Sequence, residues 1–329
     1  MKKIAINGFG RIGRLAFRNL LEHKNISVVA INDLADAKTL AHLLKYDTAH
    51  GILENDITFT DDTIVVDGHS IQVFAKRNPA ELPWERLEID LVLECTGVFR
   101  NAEGMQKHLS AGAKKVLLSA PPADKTIPSI VQGVNDHLLD SNPILLSCSS
   151  CTTNCLAPVI KVIHEAFGIS KGFITTTHAY TADQRLQDAP HKDLRRARAA
   201  AANMVPTTTG AAKAIDNVYP AVANRLEAMA IRVPVITGSL IDVNLILEKE
   251  TDADTLNAHF IKAASGELKG ILSYVELPLV SSDIIGNHHS AIVDGLLTSV
   301  RGNFAKVIAW YDNETGYATR LADLAAKVA

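Results

Sequence analysis

Lys3-Ile4-Ala5-Ile6-Asn7-Gly8-Phe9-Gly10-Arg11-Ile12-Gly13 decides the fold of the first half of the chain. Its apolar opening reads as a short buried strand and runs directly into a GxGxxG turn. Ile12, Leu15, Ala16 and Leu20 then recur at helical spacing, and Ile26-Ser27-Val28-Val29-Ala30-Ile31 supplies a second strand ending at Asn32-Asp33. Together they predict a βαβ unit. Gly8, Gly10 and Gly13 let the backbone turn tightly and approach a pyrophosphate closely, and the helix start at Arg11, Ile12 and Gly13 offers it free N–H groups. Asp33, about twenty residues beyond Gly13, is placed to accept hydrogen bonds from the adenosine ribose hydroxyls and to repel a 2′-phosphate, which selects NAD. A glycine turn alone often serves only as a corner; the flanking strands and the acid carry the reading here.

Three further apolar runs, Ile89 to Glu94, Val116 to Ser119 and Ile144 to Ser147, end in polar or small residues, as parallel strands do where they deliver a ligand-facing loop. Thr96-Gly97 and Ser119-Ala120-Pro121 are therefore candidate cofactor contacts. The expected fold is α/β. A doubly wound, parallel, Rossmann-type NAD domain spans 1–150 and is completed by a C-terminal helix, 313–329, with Leu321, Leu324, Ala325 and Val328 at helical spacing. Residues 151–312 are expected to form an α+β catalytic domain on a mixed sheet. Ser239 to Leu247, where Ile241, Val243, Leu245 and Leu247 alternate with other residues, supplies one of its strands.

Length and composition fit two globular domains. The chain has 329 residues, 47% of them apolar and 21% charged, with a formal charge of -3, which excludes a disordered or strongly nucleic-acid-seeking chain. No apolar run reaches the length of a membrane span, and the opening Met1-Lys2-Lys3 stretch breaks at Asn7 and Gly8 before a signal peptide's apolar segment can form. A cytoplasmic location and no membrane partner are expected. Three of the four cysteines crowd at Cys148, Cys151 and Cys155, which suits a reducing compartment and thiol chemistry better than a disulfide framework. Metal binding is not expected, because His288-His289 is the only other close pair of ligands and it lies far downstream.

Ser147-Cys148-Ser149-Ser150-Cys151-Thr152-Thr153-Asn154-Cys155 precedes an amphipathic stretch with Leu156, Val159, Ile160 and Ile163 on one side, stopped near Gly168. Cys151 thus falls at a helix N-terminus. A free thiol has a pKa near ~8.5, and a helix start or a nearby imidazolium increases its thiolate fraction. The strand-like run Phe173 to Thr177 ends at His178, which is expected to supply both that charge and a general base. Cys148 and Cys151 are also formally a CxxC pair, for which a redox switch is the competing reading. Cys155, one helical turn on, reads as a small core residue.

The motifs Asn7 to Arg14, Ser150 to Pro158, His178 to Thr181, Asp193 to Arg198, Pro206 to Lys213, Arg232-Val233-Pro234 and Trp310 to Tyr317 resemble, in order, those of the phosphorylating glyceraldehyde-3-phosphate dehydrogenase family. The resemblance runs from the first strand to the last helix. It implies NAD-dependent oxidation of D-glyceraldehyde 3-phosphate to 1,3-bisphosphoglycerate, in glycolysis or gluconeogenesis. Cys151 resembles the nucleophile and His178 the acid/base. Thr181 and Arg232, with Arg196 near them, resemble the site for the substrate's phosphate, and Ser150, Thr152, Thr209 and Gly210 the site for attacking inorganic phosphate. Asn313 and Tyr317 resemble nicotinamide-side cofactor contacts, and Arg77 and Ser119 are expected to line the same cleft. The partners implied are a phosphorylated aldehyde and inorganic phosphate, with a homotetramer as the assembly. Arg195, Arg196 and Arg198 fall in a stretch that the resemblance assigns to a subunit interface. A nucleic-acid patch is disfavoured by the negative net charge and the lack of interleaved aromatics.

Three departures accompany the resemblance. Cys148 stands where asparagine is usual, Ala189-Pro190 mixes two cofactor signatures, and Val235-Ile236-Thr237-Gly238-Ser239 replaces the usual run after Arg232-Val233-Pro234. The rival functions are an erythrose-4-phosphate dehydrogenase, disfavoured by Thr181 and Thr208-Thr209-Gly210, and a non-enzymatic NAD-responsive redox sensor, disfavoured by Cys151 and His178 occurring together.

Overall fold

Ile4, Ala5 and Ile6 have no exposed surface, and their strand, Lys2–Asn7, pairs in parallel with Ile26–Asn32 on one side and Leu91–Glu94 on the other. The chain order reverses at this strand, which is where an open parallel sheet places a ligand crevice. Beyond Leu91–Glu94 the parallel order continues through Lys115–Leu118 to Leu145–Ser147, and beyond Ile26–Asn32 through His69–Phe74. Two antiparallel strands, Thr63–Val66 and Ile57–Phe59, extend that edge. The sheet is thus doubly wound and parallel over six strands, with an antiparallel hairpin at its rim. Helix Arg11–Leu20 buries Leu15, Ala16, Phe17 and Leu20, and one face of the sheet closes over Trp84, Val92, Met105 and Val116.

This computed structural model describes residues 1–329 and divides into two compact units. The first comprises Met1–Ile130, Asp136–Ser149 and Ala318–Ala329; the second comprises Val131–Asn135 and Ser150–Tyr317. The C-terminal helix, Thr315–Val328, enters the first unit from Ala318, and Leu321, Leu324 and Ala325 are fully buried on it.

The second unit is built on a mixed sheet. Ile169–Ala179 pairs in parallel with Leu226–Val233 and antiparallel with Ser239–Leu247, and Ser239–Leu247 pairs antiparallel with Phe304–Tyr311. Along Ser239–Leu247 burial alternates residue by residue, with Ile241, Val243, Leu245 and Leu247 inside. Helix Cys151–Phe167 shares the core of that face and is buried on nearly every side between Thr152 and Ile163. Its interior Pro158 removes one helical hydrogen bond at a cost of roughly 3 kcal/mol. Leu156, Val159, Ile160 and Ile163 are each fully buried, and burial of such a side chain stabilises by roughly 2 kcal/mol, so packing wins and the helix continues through the proline. Gly168, at φ 70°, ends it.

Candidate active site

The glycine turn forms one wall of a cleft of about 400 Å³ in the first unit, lined by Asn7, Gly8, Gly10, Asn32, Asp33, Lys76, Arg77 and Thr96 among others. A Cβ on Gly8 would stand 2.7 Å from the Thr96 nitrogen, and one on Gly13 would stand 2.2 Å from the Gly8 carbonyl oxygen, so both positions need glycine for close packing. Gly10 differs: nothing lies within 4 Å of its Cβ position, which leaves the helix start open to the cleft. Helix Arg11–Leu20 has no side-chain cap and no acid in its first turn, so its N-terminal N–H groups are available to an anion. Asp33 accepts hydrogen bonds from Phe9 N at 2.7 Å and Ala35 N at 3.1 Å, which fix its carboxylate at the cleft's edge. These features fit a dinucleotide.

Arg11, Ile12 and Gly13 occupy the first turn of the helix, but the Arg11 guanidinium turns to Asp47, and its Nη2 reaches Asp47 Oδ1 at 3.2 Å and His50 Nδ1 at 3.2 Å. Its backbone, not its side chain, faces the open helix end. Ser119 is not among the residues lining the cleft; its N–H bonds to the Glu94 carbonyl at 3.0 Å.

In the second unit Ser150 caps helix Cys151–Phe167 by accepting from Thr153 N at 3.1 Å, which makes Cys151 its first residue. The Cys151 sulfur lies 3.5 Å from His178 Nε2. Arg232 Nη1 is 2.8 Å from His178 Nδ1 and 3.1 Å from the Ala179 carbonyl oxygen, and that oxygen is 2.7 Å from Nδ1. Since a guanidinium only donates and a carbonyl only accepts, Nδ1 serves one of them at a time. When Nδ1–H donates to Ala179, the Nε2 lone pair faces the sulfur; when Arg232 donates to Nδ1, Nε2 carries the proton there. Both tautomers leave Nε2 on the sulfur.

Burial first, and then Arg232, push the His178 pKa down to about 3. From sequence the imidazole is expected to supply the positive charge beside the thiol. Burial and Arg232 both disfavour that charge on the imidazole, and Arg232 is itself a second cation beside the thiol. Burial raises the Cys151 pKa, and Arg232, Thr152 and backbone N–H groups at the helix start pull against that rise. Burial pushes Cys155 well above its ordinary value and Cys95 up to about 12, and no cation opposes it at either. Cys151 is therefore the thiol with an adjacent base and an opposing cation.

Arg232 Nε is buried without a partner, which suits an incoming oxyanion. Arg196 is already engaged, with Nη1 on Asp183 at 2.6 Å, Nε on Thr207 at 2.9 Å and Nη2 on the Thr208 carbonyl at 3.1 Å. Thr152 Oγ1 lies 3.0 Å from the buried Tyr311 hydroxyl. Gly210 caps helix Ala211–Val218 without a side chain, and Thr209 Oγ1 accepts from Ala211 N at 3.3 Å. Thr181 is half-buried after the end of strand Ile169–Ala179, whose last residues carry the base.

Comparison with known proteins agrees with this geometry. The model of the glyceraldehyde 3-phosphate dehydrogenase NAD binding domain matches residues 2–102, and that of the C-terminal domain matches residues 150–313. The chain is 54% identical over 325 residues to glyceraldehyde-3-phosphate dehydrogenase 2 of Streptomyces avermitilis, covering 98% of this chain and 97% of that one. It is 53% identical to glyceraldehyde-3-phosphate dehydrogenase 1 of Bacillus cereus, covering 99% and 98%, and 53% identical to the Thermotoga maritima enzyme of that name, covering 98% of each. The chain belongs to the glyceraldehyde-3-phosphate dehydrogenase family.

Several polar residues at the two sites of this family member were not singled out from sequence. Glu94 is fully buried and accepts from Asn7 Nδ2 at 2.6 Å, His108 Nε2 at 3.0 Å, Thr96 N at 2.8 Å and the Thr96 hydroxyl. Trp84 Nε1 donates to His108 Nδ1 at 3.0 Å, which forces the His108 proton onto Nε2, toward Glu94. This network fixes Asn7 and Thr96, both at the cleft. Its one sequence signal is an acid ending an otherwise apolar strand. Tyr311 and Ser239 were read only as parts of a motif and a strand, because their partners lie far away in sequence.

Proposed function

We propose that the chain catalyses NAD-dependent, phosphorylating oxidation of D-glyceraldehyde 3-phosphate through a thioester on Cys151. The observation that carries this is the Cys151 sulfur 3.5 Å from His178 Nε2, with the Arg232 guanidinium on the far imidazole nitrogen. Cys151 gives its proton to Nε2 and attacks the aldehyde carbon, and Nε2 passes that proton on to the carbonyl oxygen, forming a hemithioacetal and leaving His178 free to act as a base. NAD, bound through Gly8, Gly10, Gly13, Asp33, Arg77, Thr96, Asn313 and Tyr317, supplies the hydride acceptor. As the hydride leaves carbon, His178 takes the hydroxyl proton and a thioester remains. The N–H groups at the start of helix Cys151–Phe167 stabilise negative charge on the reacting oxygen.

Inorganic phosphate, held by Ser150, Thr152, Thr209 and Gly210, then attacks the thioester carbon. The C–S bond breaks, the thiolate leaves and an acyl phosphate forms. Thr181 and Arg232, with Arg196 behind them, hold the substrate's own phosphate; the unpartnered Arg232 Nε supports that assignment. Residues 1–150 with 313–329 act as the cofactor domain, and 151–312 as the catalytic domain.

We further propose that the chain acts as a homotetramer in the cytoplasm. Phe173 (70% exposed) and Met229 (42% exposed) on paired strands, with Leu194 (81% exposed), leave large apolar side chains for a second copy to cover. A reactive thiol suits a reducing compartment. No helix is long and apolar enough to cross a membrane.

The test is NADH formation from NAD and glyceraldehyde 3-phosphate with and without inorganic phosphate, beside Cys151→Ser. Turnover that requires phosphate and is lost in the variant is expected. Steady turnover indifferent to phosphate would replace phosphorolysis with hydrolysis.

A further inference from the structure

Glu94 has no exposed surface, and the directions of its hydrogen bonds are fixed by groups that cannot reverse. Lys76 N–H can only donate, so the side-chain atom of Asn32 that it meets at 2.8 Å is Oδ1. Asn32 Nδ2 then donates to the Lys76 carbonyl at 2.9 Å and to Asn7 Oδ1 at 2.7 Å, which leaves Asn7 Nδ2 as the atom on Glu94 Oε2. From the other side, the Trp84 indole N–H fills His108 Nδ1 and puts the imidazole proton on Nε2, also at Oε2. Asn7 Nδ2 and His108 Nε2 stand 3.4 Å apart, as two donors sharing one oxygen do. Oε1 meets the Thr96 N–H and hydroxyl.

Both walls of the dinucleotide cleft hang on this one side chain. On one side, the Thr96 hydroxyl accepts from Val98 N at 3.0 Å, and the Phe99 ring stands edge-on to His108 with centroids 6.4 Å apart. Thr96, Val98 and Phe99 all line the cleft. Asn7, Asn32 and Lys76 line it on the other side, joined to Glu94 through their amides. The glycine turn rests on the first wall, since a Cβ on Gly8 would stand 2.7 Å from Thr96 N and 2.8 Å from the Cys95 carbonyl carbon. That peptide's N–H is the one held by Oε1. A carboxylate accepts at both oxygens. A glutamine would turn its amide nitrogen on the Thr96 N–H in one orientation and on Asn7 and His108 in the other, and a buried donor facing a donor costs more than a lost bond.

We propose that Glu94 is a positioning residue for the cofactor: its carboxylate, oriented by His108 and Trp84, sets the spacing of the two cleft walls that receive the adenosine diphosphate part of NAD. The inference rests on the NAD site proposed above and lies wholly within residues 1–130. Trp84 and His108 do not line the cleft, so they act on the ligand only through the side chains they hold. Losing the carboxylate therefore lowers affinity for any ligand carrying that part, and leaves the thiol chemistry of the second unit unchanged once the cofactor is bound.

The test is calorimetric binding of NAD and of ADP-ribose to the full chain, with steady-state turnover and melting temperature, for the parent, Glu94→Gln, His108→Gln and His108→Leu. Glu94→Gln should weaken both ligands by the same factor, about tenfold, and raise the KM for NAD alike, with kcat at saturating NAD within about twofold of the parent. His108→Gln keeps an amide donor where Nε2 stands and should bind both ligands within about twofold of the parent, whereas His108→Leu removes that donor and should weaken both about fivefold. A purely structural role would lower the melting temperature of Glu94→Gln and leave both affinities at the parent's values, which would overturn the proposal. So would a loss confined to NAD, or equal binding by the two His108 variants. If Glu94→Gln does not fold, the His108 pair decides the question by the same two affinities. A parent that binds neither ligand would instead remove the NAD reading beneath it.

Discussion

Burial and the neighbouring Arg232 guanidinium both disfavour the charged form of His178, and that bears on how the thiol is activated. A folded-state pKa of about 3 lies below the ordinary value near ~6.5. The unfolded chain therefore takes up a proton here as pH falls below ~6.5 while the folded chain does not, so this residue draws stability down from ~6.5 toward its folded pKa. The expected outcome is a His178 Cε1–H resonance that stays flat from roughly pH 8 to pH 5, with Arg232→Ala shifting the titration upward. A midpoint near ~6.5 in the parent would return the charge to the imidazole. Sequence spacing located Cys151 at a helix start and His178 at a strand end. Spacing gives no view of the burial and of the Arg232 neighbour that disfavour charge on that imidazole.

At the scale of elements, the glycine turn was legible because close backbone approach restricts residue choice, and Ser239–Leu247 was legible because one face must be apolar. The antiparallel hairpin of Ile57–Phe59 and Thr63–Val66 was not, since Ile57–Phe59 is largely exposed and Thr63–Val66, though it buries Ile64 and Val66, is only four residues long. Arg11 ties helix Arg11–Leu20 to Asp47, whose side chain is 2% exposed. Burial alone would raise the Asp47 pKa, but hydrogen bonds from His50 and Arg11 outweigh it and hold the carboxylate well below its usual range. Its stabilisation is therefore present above the unfolded value near ~3.9 and is lost as pH falls below that value. Asp47→Asn should cost about 1–3 kcal/mol at neutral pH, and the gap to the parent should close as urea unfolding is repeated from about pH 5 down to pH 3. A gap independent of pH would show that the carboxylate's charge contributes nothing.

For the whole molecule, the alternation of strands and helices gave the doubly wound sheet and the mixed sheet of the second unit. The Glu94 network stayed invisible because its partners, Asn7 and His108, lie on other elements and no local pattern pairs them. In the proposed homotetramer the exposed apolar side chains at Phe173 and Met229 would be covered by other copies, and sedimentation should give about four times the 35.5 kDa chain mass. Phe173→Lys should lower that mass; a parent that sediments as a single chain would remove the tetramer. The central claim is a covalent acyl group on Cys151. Its most direct test is mass spectrometry of acid-quenched protein after mixing with NAD and glyceraldehyde 3-phosphate in the absence of inorganic phosphate. One 3-phosphoglyceroyl group on the peptide bearing Cys151, discharged when phosphate is added, is the expected result; NADH formed in stoichiometric burst with Cys151 unmodified would contradict it.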